Sequence, residues 1–135
     1  MLDRVLHHAD VPARAAMAAI FILSGISKIG AFEGTQAYME AFGLPGVFLI
    51  PAIAIEILAG LALLLGFGVR QAALALAGFS IVTALIFHRD LGDQIQQIMF
   101  LKNLAMAGGL LLLAKHGSPS LSLERVFSGR KEAAQ

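Results

Sequence analysis

Polar side chains capable of chemistry interrupt the long apolar stretches of this chain, and the most informative of them is Glu56. It lies inside the apolar run 46–69, which is long enough to span a bilayer, for which about 20 residues are needed. A carboxylate near the middle of such a helix costs at least about 2.5–3.5 kcal/mol on insertion. Residues of this kind usually pair with a cation, face the interior of a helix bundle or line a site. Glu56 is therefore the first candidate for a functional residue.

Other candidates are of types that would complement a buried carboxylate. A glutamate and a lysine with a histidine nearby can relay protons to a quinone carbonyl, and lysine and asparagine can donate hydrogen bonds to it. The same groups can hold a small anion or a lipid head group. The candidate ligand-binding residues are Ser24, Ser27, Lys28, Glu56, His88, Lys102 and Asn103, with Thr83 close to them.

Each candidate also has a purely structural explanation. Glu56 can form an ion pair with Lys28 or Lys102 that fixes the register of the helices. Either lysine can instead extend its ammonium group to the lipid head groups. His88 is more typical of an interfacial histidine than of a metal ligand, because no second histidine is expected near it. We predict no metal site and assign no catalytic residue.

The composition indicates an integral membrane protein. Hydrophobic residues make up 58% of the 135 residues and charged residues only 14%, whereas ordinary globular proteins are about 45–50% apolar. The net charge of +1 gives no reason to expect a nucleic-acid partner. Because the chain has no cysteine, disulfides, thiolate metal sites and thiol redox chemistry are excluded within it.

The apolar segments predict an all-α integral membrane four-helix bundle. The first segment has a short apolar core like that of a signal peptide, but it lacks a convincing cleavage site and further spans follow it. We therefore expect a membrane domain at residues 1–117 and a polar cytoplasmic tail at 118–135, with one short interfacial helix. The predicted spans are about 13–30, 47–67, 70–88 and 98–114.

The distribution of basic residues predicts the orientation. Four spans place both termini on one side, and seven of the ten lysines and arginines belong to that side. The excess predicts that both termini are cytoplasmic. The seven are Arg4, Arg14, Arg70, Lys115, Arg125, Arg130 and Lys131, against Lys28, Arg89 and Lys102 on the other side.

This orientation places most of the candidate polar residues in the outer half of the bundle. Ser24, Ser27 and Lys28 are three and four residues apart, which predicts that they share one helix face. Glu56 is about 15 Å into the second span at 1.5 Å per residue. The inner half has no comparable set of polar residues, so we expect a polar pocket that opens toward the outer face.

At these residues the chain resembles the DoxX family of small four-helix bacterial inner-membrane proteins. The resemblance covers about residues 13–115 and lies in the order and spacing of several elements. Lys28, Glu56, His88, Lys102 and Asn103 match the polar pattern of the family by position. The segments that carry the resemblance are FILSGISKIGAFEGTQAYMEAFGLPG (21–46), AIEILAGLALLLGFGVR (54–70), ALIFHRD (84–90) and FLKNLAMAGGLLLL (100–113).

The resemblance implies a multi-pass protein of the bacterial inner membrane that works as a subunit of a quinone-linked membrane oxidoreductase. The cofactor implied is a quinone, and a partner subunit would carry the electron transfer, so we do not expect this chain to be catalytic alone. Two alternatives remain open at this point. One is a non-enzymatic binding or transport module for a small molecule or lipid, working as a homo-oligomer; the other is a structural assembly subunit.

Overall fold

A computed structural model describes residues 1–134, which form helices, turns and short connections without a strand. The all-α prediction is therefore confirmed for this part of the chain. A 3-10 turn at Gly46–Phe48 leads into the fourth helix. The helices are α1 (Leu2–His7), α2 (Asp10–Gly30), α3 (Phe32–Ala41), α4 (Leu49–Leu65), α5 (Val69–Phe87), α6 (Gln94–His116) and α7 (Leu123–Ala133).

Four helical segments are long and apolar enough to cross a membrane, which confirms the four predicted spans. They are built on α2, α4, α5 and α6. The last one begins at Gln94 rather than near residue 98, because the Asp93 side chain accepts a hydrogen bond from the Gln96 amide at 2.9 Å. Such a cap satisfies an amide that has no partner within the helix.

The four long helices form a ring of antiparallel neighbours in chain order. Contacts join α2 to α4, α4 to α5, α5 to α6, and α6 back to α2. Leucines and alanines fill the core between them, among them Leu63, Leu76 and Leu110. Large apolar side chains on the outer faces, such as Leu58 and Leu112, are exposed and suited to contact with lipid.

Glycine allows α2 and α4 to approach each other closely. A Cβ atom at Gly25 would lie 2.6 Å from Cγ1 of Ile57, and one at Gly60 would lie 2.8 Å from Cγ1 of Ile22. Both distances are shorter than real Cβ contacts allow, so a larger residue would push the helices apart. Small residues at helix contacts in membranes have this role. The close approach brings the C-terminal part of α2 beside Glu56.

A short helix, α3, lies against the bundle at the end where α2 finishes and α4 begins, which we call the cavity end. Three rings hold it there: Tyr38 stacks on Phe87 at 5.5 Å between centroids, and Phe42 lies 4.9 Å from Tyr38 and 5.3 Å from Phe87. Edge and stacked ring pairs of this kind add to the stabilisation from apolar burial. They tie α3 to the last turn of α5.

The opposite end, which we call the termini end, contains a buried arginine. Arg14 of α2 is only 2% exposed and donates hydrogen bonds to the carbonyl oxygens of Leu63 at 3.1 Å and Leu121 at 2.5 Å. Its Nε lies 3.4 Å from a carboxylate oxygen of Asp10. The turn beside it needs glycine at position 66: the backbone has a φ of +74° there, and a Cβ atom added to Gly66 would lie 2.5 Å from a guanidinium nitrogen of Arg14.

The C-terminal tail is fastened to this end of the bundle. Ser120 donates a hydrogen bond to Asp10, and Glu124 accepts one from the Gly68 amide at 2.6 Å and another from Ser118 at 3.1 Å. The expectation that this half of the bundle lacks a buried polar set is therefore wrong. The sequence interpretation counted Arg14 among the loop cations, although its side chain is buried. The other six basic residues assigned to this side are exposed. The cytoplasmic orientation of this end remains a prediction.

Loss of the Arg14 side chain should weaken the whole fold. Arg14→Ala leaves the Asp10 carboxylate without its cation and two carbonyl groups without their donor, and breaking a buried charged pair in this way costs about 3–5 kcal/mol. The free energy of unfolding, measured by denaturant titration in mixed micelles, should fall by that amount. Arg130→Ala is the matched control, since Arg130 is exposed on α7, and an equal effect of the two changes would contradict this account.

Candidate functional site

A cavity of about 610 Å³ lies inside the bundle at the cavity end, beneath α3. Five helices contribute to its walls, and most of the lining side chains are apolar. This volume falls within the range of about 300–1,000 Å³ that is usual for small-molecule sites. The aromatic residues of the wall are Phe21, Tyr38, Phe48, Phe79 and Phe87.

Glu56 and Lys28 form an ion pair at the side of this cavity. The Lys28 ammonium lies 2.9 Å from Oε1 of Glu56 and donates a second hydrogen bond, at 2.6 Å, to the hydroxyl of Ser24. That hydroxyl donates to the same Oε1 at 3.0 Å. Ser24 and Lys28 are one helical turn apart on α2, so both side chains can reach Glu56 on α4. The structure thus selects Lys28, and not Lys102, as the partner of Glu56.

The two partners differ in burial. Glu56 is 3% exposed, whereas the Lys28 side chain is 27% exposed. The second carboxylate oxygen of Glu56, Oε2, is buried and has no hydrogen-bond partner. The ammonium therefore extends toward the surface of the bundle while the carboxylate stays inside with one acceptor atom unused.

Asn103 of α6 contributes a second polar group from the other side of the ring of helices. Its Nδ2 donates to the carbonyl oxygen of Ser80 at 3.2 Å and to the hydroxyl of Thr83 at 3.1 Å. The Thr83 hydroxyl donates in turn to the Phe79 carbonyl at 2.9 Å. These bonds fix Asn103 against α5, and all four residues line the cavity.

His88 and Lys102 complete the polar lining near the mouth of the cavity. Nδ1 of His88 is 3.0 Å from Oε1 of Gln96, so the ring is held across the connection between α5 and α6. Lys102 is exposed, and no carboxylate within residues 1–134 lies close enough to form an ion pair with it. In the same part of the chain no group of three or more potential metal ligands comes together.

Ser27 is the predicted site residue that the structure places elsewhere. Its side chain is exposed, and it does not line the cavity. At about 100° per residue, Lys28 is displaced from Ser24 by about 40° in one direction and Ser27 by about 60° in the other. Ser24 and Lys28 therefore face the cavity together, and the prediction that Ser27 shares this face with them is wrong.

Comparison with known proteins gives the family. The DoxX family model matches residues 9–89. Inner membrane protein YqjF of Escherichia coli strain K12 is 44% identical over 116 residues, which cover 86% of this chain and 89% of the relative. The chain belongs to the DoxX family. Inner membrane protein YphA of the same strain is 38% identical over 120 residues, covering 84% of this chain and 86% of the relative. No solved structure matches the chain.

The membership confirms the predicted location. Both relatives are named as inner membrane proteins, and with its four candidate spans this DoxX protein is a multi-pass protein of the inner membrane. The matched region 9–89 contains Ser24, Lys28, Glu56 and His88. Lys102 and Asn103 lie beyond that region, on α6.

The polar cavity residues of this DoxX protein that were not among the sequence candidates include Ser80 and Tyr38. Ser80 is almost completely buried, and its hydroxyl has no hydrogen-bond partner within the described residues. Tyr38 comes from α3 and covers the cavity from above. Ser80 is three residues before Thr83 and so on the same helix face, which is a signal that the sequence carries. The position of Tyr38 depends on how α3 folds back, for which the sequence has no comparable signal.

The Lys28–Glu56 pair should show an asymmetric response to mutation. Lys28→Met leaves a buried carboxylate without a cation and should lower the free energy of unfolding by about 3 kcal/mol. Glu56→Gln should cost less, because the freed ammonium can reach water and the amide can still accept hydrogen bonds. The double variant should resemble Glu56→Gln alone in a double-mutant cycle. Strict additivity of the two single effects would show that the ion pair contributes nothing to the fold.

Proposed function

We propose that this DoxX-family protein is the membrane subunit of a quinone-linked oxidoreductase, and that its cavity binds the head group of a quinone-class lipid. The observation that carries the proposal is the buried carboxylate of Glu56 in an aromatic-walled cavity, with one oxygen held by Lys28 and Ser24 and the other unpaired. A buried charge that is retained inside a membrane bundle is a marker of function.

The lining fits such a head group in shape and in polarity. A quinone ring is flat and apolar on its faces, which suits walls made of aromatic and aliphatic side chains. Its two oxygens lie on opposite edges of the ring and require polar partners on two sides. The cavity offers polar groups from the α2–α4 pair, Lys28 and Glu56, and from the α5–α6 pair, Thr83 and Asn103.

A bound quinone supplies two-electron, two-proton chemistry. The residues of this chain would bind the head group, orient it and exclude water from its faces. The partly exposed Lys28 lies between Glu56 and the surface and could exchange protons between the two. Since the chain has no cysteine, any thiol-based electron transfer would take place on a partner subunit.

The proposal can be tested by identifying what copurifies with the protein. Native mass spectrometry with lipid extraction would be applied to the wild type, to Glu56→Gln and to the matched control Ser27→Ala, all purified gently from their own membrane. We expect a bound quinone-class lipid in the wild type and in the control, and an occupancy about tenfold lower in Glu56→Gln, because a charge-assisted hydrogen bond from a quinol hydroxyl to the Glu56 carboxylate is worth about 1.5–3 kcal/mol.

Two results would contradict the proposal. One is equal quinone content in the wild type and in Glu56→Gln; the other is a wild-type protein that carries no quinone. A different lipid, lost in Glu56→Gln, would instead support the alternative that the protein is a non-enzymatic binding module for an amphipathic small molecule.

A further inference from the structure

We infer that the cavity selects a head group that donates hydrogen bonds, so that it binds the reduced hydroquinone in preference to the oxidised quinone. The inference rests on the proposed function and specifies the form of the ligand at the same site. It follows from counting which hydrogen-bonding atoms of the lining are already used and which are left over.

Glu56, which lines the cavity, leaves one acceptor atom without a donor. Its Oε1 receives both available donors, from Ser24 at 3.0 Å and from Lys28 at 2.9 Å, while Oε2 is buried and receives none. An unsatisfied buried acceptor costs about 1–3 kcal/mol, and more when it is charged. A ligand hydroxyl that donates to Oε2 would remove this cost, whereas a ligand carbonyl oxygen would be repelled by it.

Asn103 also leaves an acceptor. Both hydrogens of its Nδ2 are used, on the Ser80 carbonyl and the Thr83 hydroxyl, so that only Oδ1 remains for a ligand. The opposite orientation of the amide would place its oxygen against the Ser80 carbonyl, two acceptors facing each other. The Ser80 carbonyl on α5 therefore fixes the orientation of the Asn103 amide, so that Asn103 presents its acceptor oxygen to a ligand.

His88 follows the same pattern. Its Nδ1 is 3.0 Å from Oε1 of Gln96, and in the tautomer that carries the proton on Nδ1 this contact is a hydrogen bond from the ring to the amide oxygen. In the neutral ring Nε2 is then an acceptor. Glu56 on α4 and Asn103 on α6 thus present unused acceptors, and His88 at the end of α5 adds a third in this tautomer.

The unused donors of the lining are the buried Ser80 hydroxyl, which can equally accept a hydrogen bond, and three groups nearer the surface. The third N–H of Lys28 belongs to a side chain that is 27% exposed, and Lys102 and Tyr38 are exposed as well. Among the unused atoms of the buried lining residues, Oε2 of Glu56 and Oδ1 of Asn103 can only accept, whereas the Ser80 hydroxyl can donate or accept. A hydroquinone can donate two O–H groups to these acceptors, whereas the two carbonyl groups of a quinone can donate none.

The test compares the two redox forms of one ligand. Binding of decyl-ubiquinol and of decyl-ubiquinone to the wild-type protein in phosphatidylcholine nanodiscs would be measured anaerobically by equilibrium dialysis. We expect the quinol to bind about ten- to a hundredfold more tightly, as one hydrogen bond to a charged acceptor implies. The dimethyl ether of the same quinol has its shape without its O–H groups, and it should bind no better than the quinone.

The variant Glu56→Gln tests whether Glu56 causes the preference for the quinol. In Glu56→Gln the amide oxygen replaces Oε1 opposite Lys28, so that the amide nitrogen, a donor, takes the place of Oε2. The preference for the quinol should then fall about tenfold or reverse, while Ser27→Ala should keep it.

The outcomes separate this inference from the function on which it rests. Equal affinity for the two redox forms, tight binding of the dimethyl ether, or an unchanged preference in Glu56→Gln overturns the inference and leaves quinone binding intact. Failure of the wild type to bind either form overturns the proposed function and the inference together.

Discussion

The burial of a carboxylate within a membrane bundle is the constraint on which the rest of this structure depends. Glu56 is removed from water on a helix of apolar residues, and this is tolerable only if a cation and hydrogen-bond donors reach it. Lys28 and Ser24 can do so because Gly25 and Gly60 let α2 approach α4 closely. Glu56, Lys28 and Ser24 all line the cavity.

The bundle is held by buried polar contacts at both of its ends, and α2 takes part at each. At the cavity end Lys28 of α2 binds Glu56 of α4, and at the termini end Arg14 of α2 binds the last turn of α4 and the C-terminal tail. Asn103 provides the equivalent link between α6 and α5. Fixed helix positions of this kind keep the polar groups of a site in place without a ligand, which lowers the cost of binding.

Hydropathy and composition were sufficient to predict the four spans, because bilayer thickness imposes a length and an apolar character that each segment displays by itself. The importance of Glu56 followed from the same rule. Its partner did not, since the choice between Lys28 and Lys102 depends on how each helix is rotated about its axis. Rotation also explains the error at Ser27. Arg14 was misjudged because its burial depends on a tail more than 100 residues away along the chain.

Photo-cross-linking tests the central claim, that the space beside the buried Glu56–Lys28 pair is a quinone-class binding site, most directly. Inner-membrane vesicles containing the protein would be irradiated with an azido-quinone, and the modified peptides identified by mass spectrometry with and without excess unlabelled quinone. This account predicts adducts within residues 20–28, 49–56 and 99–106 that the unlabelled quinone suppresses. Adducts confined to outward-facing positions such as Leu58, Leu85 and Leu112, and insensitive to competition, would contradict it.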